Sequence, residues 1–265
     1  MLCVFLFVRT SDDIGIYYFL ISATIVINAV INIVYSRRFI RLRFCFDSLS
    51  EYTKSVFILG AYTILTSMYT TFNVAYLGFV SDDVQVGYYT TSTKVHTIIL
   101  MAFSAVTGVL MPRMSVILAE KRYDEYERLI KKSVLVLSVF AIPCVILMEI
   151  FAPSIIKIIA GPDYGGAVLP LRIIAPLIYV IGIEQILITQ SLMPMGKDKA
   201  VLMNSVYGAF VGIVANVALV PRLASVGSAV VWLISEVTVM SSAAYFFYKA
   251  WKGVKHGCIN YNRKL

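Results

Sequence analysis

The chain has 265 residues, of which 59% are hydrophobic and only 14% charged, with a mean hydropathy of +0.82. Soluble domains carry roughly a quarter charged residues, so composition excludes a water-soluble fold and points to a polytopic membrane protein. The net charge of +8 sits in short loops between apolar stretches, with no basic groove or reader motif, which argues against a nucleic-acid partner.

In chain order, residues 1–8 are apolar but lack a basic start and a small-residue cleavage site, so they make a poor signal peptide. They fall far short of the roughly twenty residues a membrane crossing needs, and read as the end of a helix begun upstream. A first full span is expected at 14–35, with Thr24, Asn28 and Asn32 four apart on one stripe. A dense basic loop follows at 37–43. The second span, 54–80, carries Thr63, Thr66, Ser67, Thr70 and Asn73 at steps of three and four, which puts them on one side of a 3.6-residue helix. An acidic loop is expected at 81–89, its paired tyrosines suited to a membrane–water interface. The third span, 93–118, repeats the pattern with Lys94, Thr97, Ser104 and Gly108. Helices apolar on one side and hydroxyl-lined on the other face lipid outward and a wet cavity inward, as a transport path requires.

Pro112 marks the expected end of that span. Residues 120–132 (EKRYDEYERLIKK) mix both charges at helical spacing, with Glu127 four before Lys131, and are expected to lie as a solvated helix on the membrane surface. A fourth span at 133–151 is expected to kink at Pro143, and 152–166 reads as a loop broken by Pro and Gly. The fifth span, 169–191, contains Pro176 and two internal charges. The sixth, 200–220, has Gly208 and Gly212 as a small-residue packing face, and the seventh, 227–248, leads into a basic tail. With strict alternation, one set of loops and the tail holds 18 of the 23 Lys and Arg residues; the positive-inside bias places that set, tail included, in the cytoplasm.

Cys3, Cys45, Cys144 and Cys258 are too scattered for a structural zinc site, even with His96 and His256. They are expected to be free thiols and small apolar fillers. No metal is expected, and the absence of a GxxxxGKS/T motif leaves no nucleotide or other cofactor to expect.

Several motifs occur in a telling order: NVAYLGFVSDDVQVGYYTTSTKV (73–95), LMPRMS (110–115), EKRYDEYERLIKK, LPLRIIAP (169–176), LMPMGKDKAV followed by Asn204, and NVALVPRLASVGSAVVWLISE (216–236). Together they resemble the Wzx-type flippases of O-antigen and capsule repeat units, within the multidrug and oligosaccharidyl-lipid exporter superfamily. The resemblance covers nearly the whole chain. It implies an all-α polytopic bundle with the fold of the multidrug exporters, built from two six-helix lobes. On that pattern residues 1–49 end an N-terminal lobe that is otherwise missing, 50–250 form the six-span C-terminal lobe, and 251–265 are a basic cytoplasmic tail. The implied substrate is a polyprenyl-diphosphate-linked glycan crossing a bacterial inner membrane. Implied partners are the bilayer, the missing lobe and the polymerase or other assembly proteins of the same polysaccharide. Asn73 stands where many members of this family carry an acid.

Within that frame Arg172 is a candidate grip for a diphosphate, since guanidinium matches phosphate oxygens with paired donors; the alternative is snorkelling to outer head groups. Lys94 has the same two readings. Thr63, Thr66, Thr70, Asn73, Tyr76, Thr97 and Ser104 offer hydroxyl, amide and aromatic partners for sugar. Glu184 and Glu236 lie deep in spans, where a charge costs about 2.5–3.5 kcal/mol on insertion scales. They are candidates for proton or cation coupling, or for plain hydrogen bonding between packed helices. A drug or cation antiporter of the related multidrug family is the alternative transporter. A non-transporting membrane component of glycolipid assembly ranks lower, and an enzyme lower still for want of a positioned acid, base or nucleophile.

Overall fold

The structure, a computed structural model, describes residues 14–37 and 49–255. The apolar stretch 1–8, most of the basic loop, the tail beyond residue 255 and Cys3, Cys45, His256 and Cys258 therefore lie outside the described residues. The chain divides into two compact units, Met1–Tyr52 and Thr53–Leu265. In the first, the described residues form α1 (Ile14–Ser36). Its polar stripe satisfies itself: the Thr24 hydroxyl donates to the Leu20 carbonyl at 2.7 Å, and Asn32 Nδ2 donates to Asn28 Oδ1 at 2.6 Å.

The remaining elements are α2 (Leu49–Val80), α3 (Asp83–Ala119), α4 (Tyr123–Ala160), a 3₁₀ turn (Pro162–Ala167), α5 (Val168–Ile174), α6 (Leu177–Leu187), a π turn (Ile188–Leu192) and α7 (Asp198–Lys255). No strand occurs among the described residues. The protein is an all-α polytopic membrane protein, with α3, α4 and α7 long and apolar enough to cross a bilayer. The stretch from Pro162 to Leu192 makes a further span, bent by 42° at Ala175-Pro176.

At 58 residues, α7 would measure about 87 Å if straight, nearly three times the hydrocarbon thickness. It is broken at Ala224, whose backbone has φ 48° and ψ −125°. The chain doubles back there. The Ser242 hydroxyl donates to Asn204 Oδ1, and the Tyr207 and Phe246 rings stack at 6.3 Å. A Cβ on Gly227 would stand 2.8 Å from the Leu219 carbonyl oxygen, though eight residues along a straight helix are about 12 Å apart. Because the obstructing atoms are backbone, Gly227→Ala is expected to lower stability by about 1–3 kcal/mol. Thermal unfolding in detergent checks this, with Gly108→Ala as the neutral control, since nothing lies within 4 Å of its added Cβ.

Three local expectations are corrected. The acidic loop at 81–89 shrinks to Ser81 and Asp82, because Asp82 caps α3 by accepting from the Gln85 amide at 2.9 Å and Asp83 begins the helix. The surface helix at 120–132 is no separate element: its residues from Tyr123 onward are the first turns of α4. Trp251 holds those turns against the end of α7, donating Nε1–H to Glu127 Oε1 at 2.9 Å and stacking on Tyr126 at 5.1 Å. The loop at 152–166 is helical to Ala160 and turns only at Gly161, where φ is 94°. Pro112, Pro143 and Pro153 all sit inside helices, where neighbouring helices can satisfy the freed carbonyls.

Two apolar clusters fill the interior of the second unit. One gathers Leu77, Phe103, Leu137, Leu171 and Ile186, the other Met114, Tyr126, Leu192, Val201 and Val239. Gly182 of α6 lets Leu137 of α4 pack directly onto its backbone.

Candidate functional site

Between those clusters, judged by position along each helix, lies a belt of buried polar side chains. Glu184 on α6 and Glu236 on α7 are 9% and 4% exposed, and their carboxyls approach within hydrogen-bonding reach of each other. An ionised carboxyl only accepts, so a hydrogen bond between the two needs a proton on one of them. Trp232, one turn before Glu236, donates its indole N–H to Glu236 Oε1 at 2.9 Å. Outside the pair, Glu184 Oε2 finds no partner among the described residues.

The belt extends in three directions. Tyr62 of α2 is half-buried and within electrostatic range of Glu184. Tyr89 of α3 lies beside Glu236 and meets Asn73, whose Nδ2 donates to Tyr89 Oη at 3.0 Å and to the Ser228 carbonyl at 2.9 Å. His96 is fully buried and packs edge-on against Trp232 at 5.0 Å. One residue from Glu184, Gln185 donates to Ser104 Oγ at 2.8 Å.

The sequence-derived residues thus separate by burial. Asn73, Thr66, Ser104, Glu184 and Glu236 belong to the belt. Tyr76 is half-buried and stacks on Phe72 at 5.6 Å. Thr63, Lys94, Thr97 and Arg172 are exposed on the surface of the unit. Thr97 returns its hydroxyl to the Thr93 carbonyl at 2.8 Å, and Arg172 Nε donates to the Glu149 carbonyl at 3.3 Å. The side chain of Thr70 lies outside the described residues.

Sequence reasoning missed Tyr62, Tyr89, His96, Gln185 and Trp232. The i,i+4 spacing of Trp232 and Glu236 was the available signal, because a donor one turn from a buried acid on an apolar helix is its natural partner. No group of three or more His, Cys, Asp and Glu able to hold a metal occurs among the described residues.

A model of the family described as "Polysaccharide biosynthesis protein" matches residues 15–169. The chain belongs to that family. It is also 24% identical over 245 residues to a protein of Escherichia coli (strain K12) named "Putative O-antigen transporter". That alignment covers 91% of this chain and 59% of the relative, so the chain spans well under two thirds of the relative's length. No solved structure matches the chain. Membership of a polysaccharide biosynthesis family and similarity to a protein named as a transporter agree with the lipid-crossing helices.

Proposed function

We propose that the chain acts in a flippase that moves polyprenyl-diphosphate-linked oligosaccharide repeat units across a bacterial inner membrane. The product serves surface polysaccharide assembly, and the basic tail lies in the cytoplasm. The observation that carries this reading is the buried polar belt, since ionisable and amide groups inside lipid-crossing helices are costly and mark solute or ion pathways. Family membership and the similarity to a named O-antigen transporter support it. No covalent step is involved: the six-span lobe rocks against an N-terminal lobe and exposes a path to each side in turn. The exposed Arg172 and Lys94 grip diphosphate oxygens, and the Thr63, Thr66, Thr70, Tyr76, Thr97 and Ser104 stripe meets the sugar. Glu184 and Glu236 exchange a proton or cation as the lobes move.

The test is a proteoliposome assay with the chain joined to the N-terminal lobe of its relative. A lectin outside the vesicle is expected to gain access to polyprenyl-diphosphate-linked glycan loaded in the inner leaflet. A well-folded, membrane-inserted protein that leaves the glycan inaccessible overturns the reading. A drug or cation antiporter is the second reading, and the buried acidic pair is what favours it. Efflux of a cationic dye with no movement of glycan in the same vesicles would establish it.

A further inference from the structure

Away from the belt, two hollows meet between α3 and α4. One, of about 280 Å³, is lined by Arg113, Glu125, Arg128, Leu129 and Lys132. The other, of about 120 Å³, is walled by apolar side chains including Phe103, Val106 and Val136. Leu129 and Lys132 line both, so a cationic mouth leads directly into a greasy slot. The mouth carries three cations against one carboxylate: Glu125 is hydrogen-bonded by Arg122 and pairs with Arg113 at 3.8 Å, which leaves Arg128 and Lys132 as cations with no carboxylate of the mouth bound to them. The outer wall of the slot is open, since Val106 and Val136 are 46% and 52% exposed. In a lipid-crossing bundle that opening faces acyl chains.

Gln190 also lines the slot. It is 0% exposed, and neither atom of its amide has a hydrogen-bond partner among the described residues. A buried amide left unpaired is expensive, and the other polar side chains lining the slot, Lys132 and Ser133, make no hydrogen bond to it. The π turn that carries Gln190 is the kind of helical irregularity often found at functional positions.

We infer that this crevice seats an acidic glycerophospholipid, its phosphate on Arg113, Arg128 and Lys132, an ester carbonyl on the Gln190 amide, and its chain in the slot. The order of groups decides the class. Glycerophospholipids present phosphate, then ester carbonyls a few bonds further, then hydrocarbon, in the same sequence as cations, amide and apolar wall. A polyprenyl diphosphate passes straight from phosphate to hydrocarbon and leaves Gln190 unpaired. Basic clusters at the membrane surface attract anionic lipid in any case, and the amide and slot add a fixed seat. This site is separate from the belt and needs only that α3 and α4 cross a bilayer, so it stands or falls independently of the flippase reading.

Native mass spectrometry of the full chain in detergent, titrated with phosphatidylglycerol, phosphatidylcholine of the same chains, or undecaprenyl phosphate, tests it. One phosphatidylglycerol is expected to be retained at about tenfold lower concentration than phosphatidylcholine, the size of effect that charge-assisted hydrogen bonds give. The double variant Arg128→Gln/Lys132→Gln is expected to erase that preference. Gln190→Met is expected to weaken phosphatidylglycerol about tenfold without lowering the melting temperature of the lipid-free protein. Equal retention of the two glycerophospholipids overturns the proposal. So does unchanged binding by Gln190→Met, or undecaprenyl phosphate displacing phosphatidylglycerol from the wild type.

Discussion

Glu184→Gln and Glu236→Gln are each expected to cut coupled transport by at least about tenfold, the loss that removing one well-placed charged hydrogen bond brings, while leaving the lobe folded. The two carboxyls form one unit, on helices that belong to different spans, and Trp232 fixes one end of it. Two carboxyls this close repel when both are ionised, and burying a charged one costs desolvation. Replacing either acid by an amide keeps shape and a neutral hydrogen bond but removes the exchangeable proton and the charge-assisted part of the contact. Thermal stability is therefore expected to hold or rise as transport falls. The double variant is expected to be no worse than the weaker single one, because residues acting as one unit are not additive. Vesicle transport under an imposed pH or sodium gradient, measured beside melting temperature, separates the roles. Full activity with unchanged gradient dependence in both single variants would leave the pair a structural contact between packed helices.

Much of the fold was legible from hydropathy alone. Apolar runs of about twenty residues located α3, α4 and α7, the helices long and apolar enough to cross, and Pro194 to Lys199 marked the turn before α7. What hydropathy could not show was where helices end, since membrane helices run past prolines and into charged turns. Pro112 and Pro153 read as stops and are interior, and Asp82 reads as loop and is a cap. The site was legible by residue type and illegible by pairing. Glu184 and Glu236 stand out as lone acids in apolar runs, but 52 positions separate them, and no one-dimensional period says that α6 and α7 bring them together. The hydroxyl stripe shows the opposite limit. Thr97 and Thr24 share a face with other polar residues, yet each returns its hydroxyl to a carbonyl one turn back, as isolated Thr can do in any lipid-buried helix.

Asn73→Leu is expected to loosen α2 from the helices it packs against, with a loss of about 2 kcal/mol for two interhelical hydrogen bonds and the acceptors they leave bare. Asn73 is 1% exposed, and its Nδ2 reaches both Tyr89 on α3 and the backbone of Ser228 on α7. One amide thus pins three helices. Asn73→Asp, a change of almost no volume, is expected to be at least as damaging. A carboxylate cannot donate to the Ser228 carbonyl, and it would add charge near Glu236, which already neighbours Tyr89. In this chain Asn73 serves as the donor that holds the neighbouring tyrosine in place. Melting temperatures of Asn73→Leu, Asn73→Asp and Asn73→Gln, with cysteine cross-linking between α2 and α7, check the argument. If the aspartate variant melts with the wild type and cross-links equally well, the amide is not the pin, and an acid at this position is compatible with the packed belt.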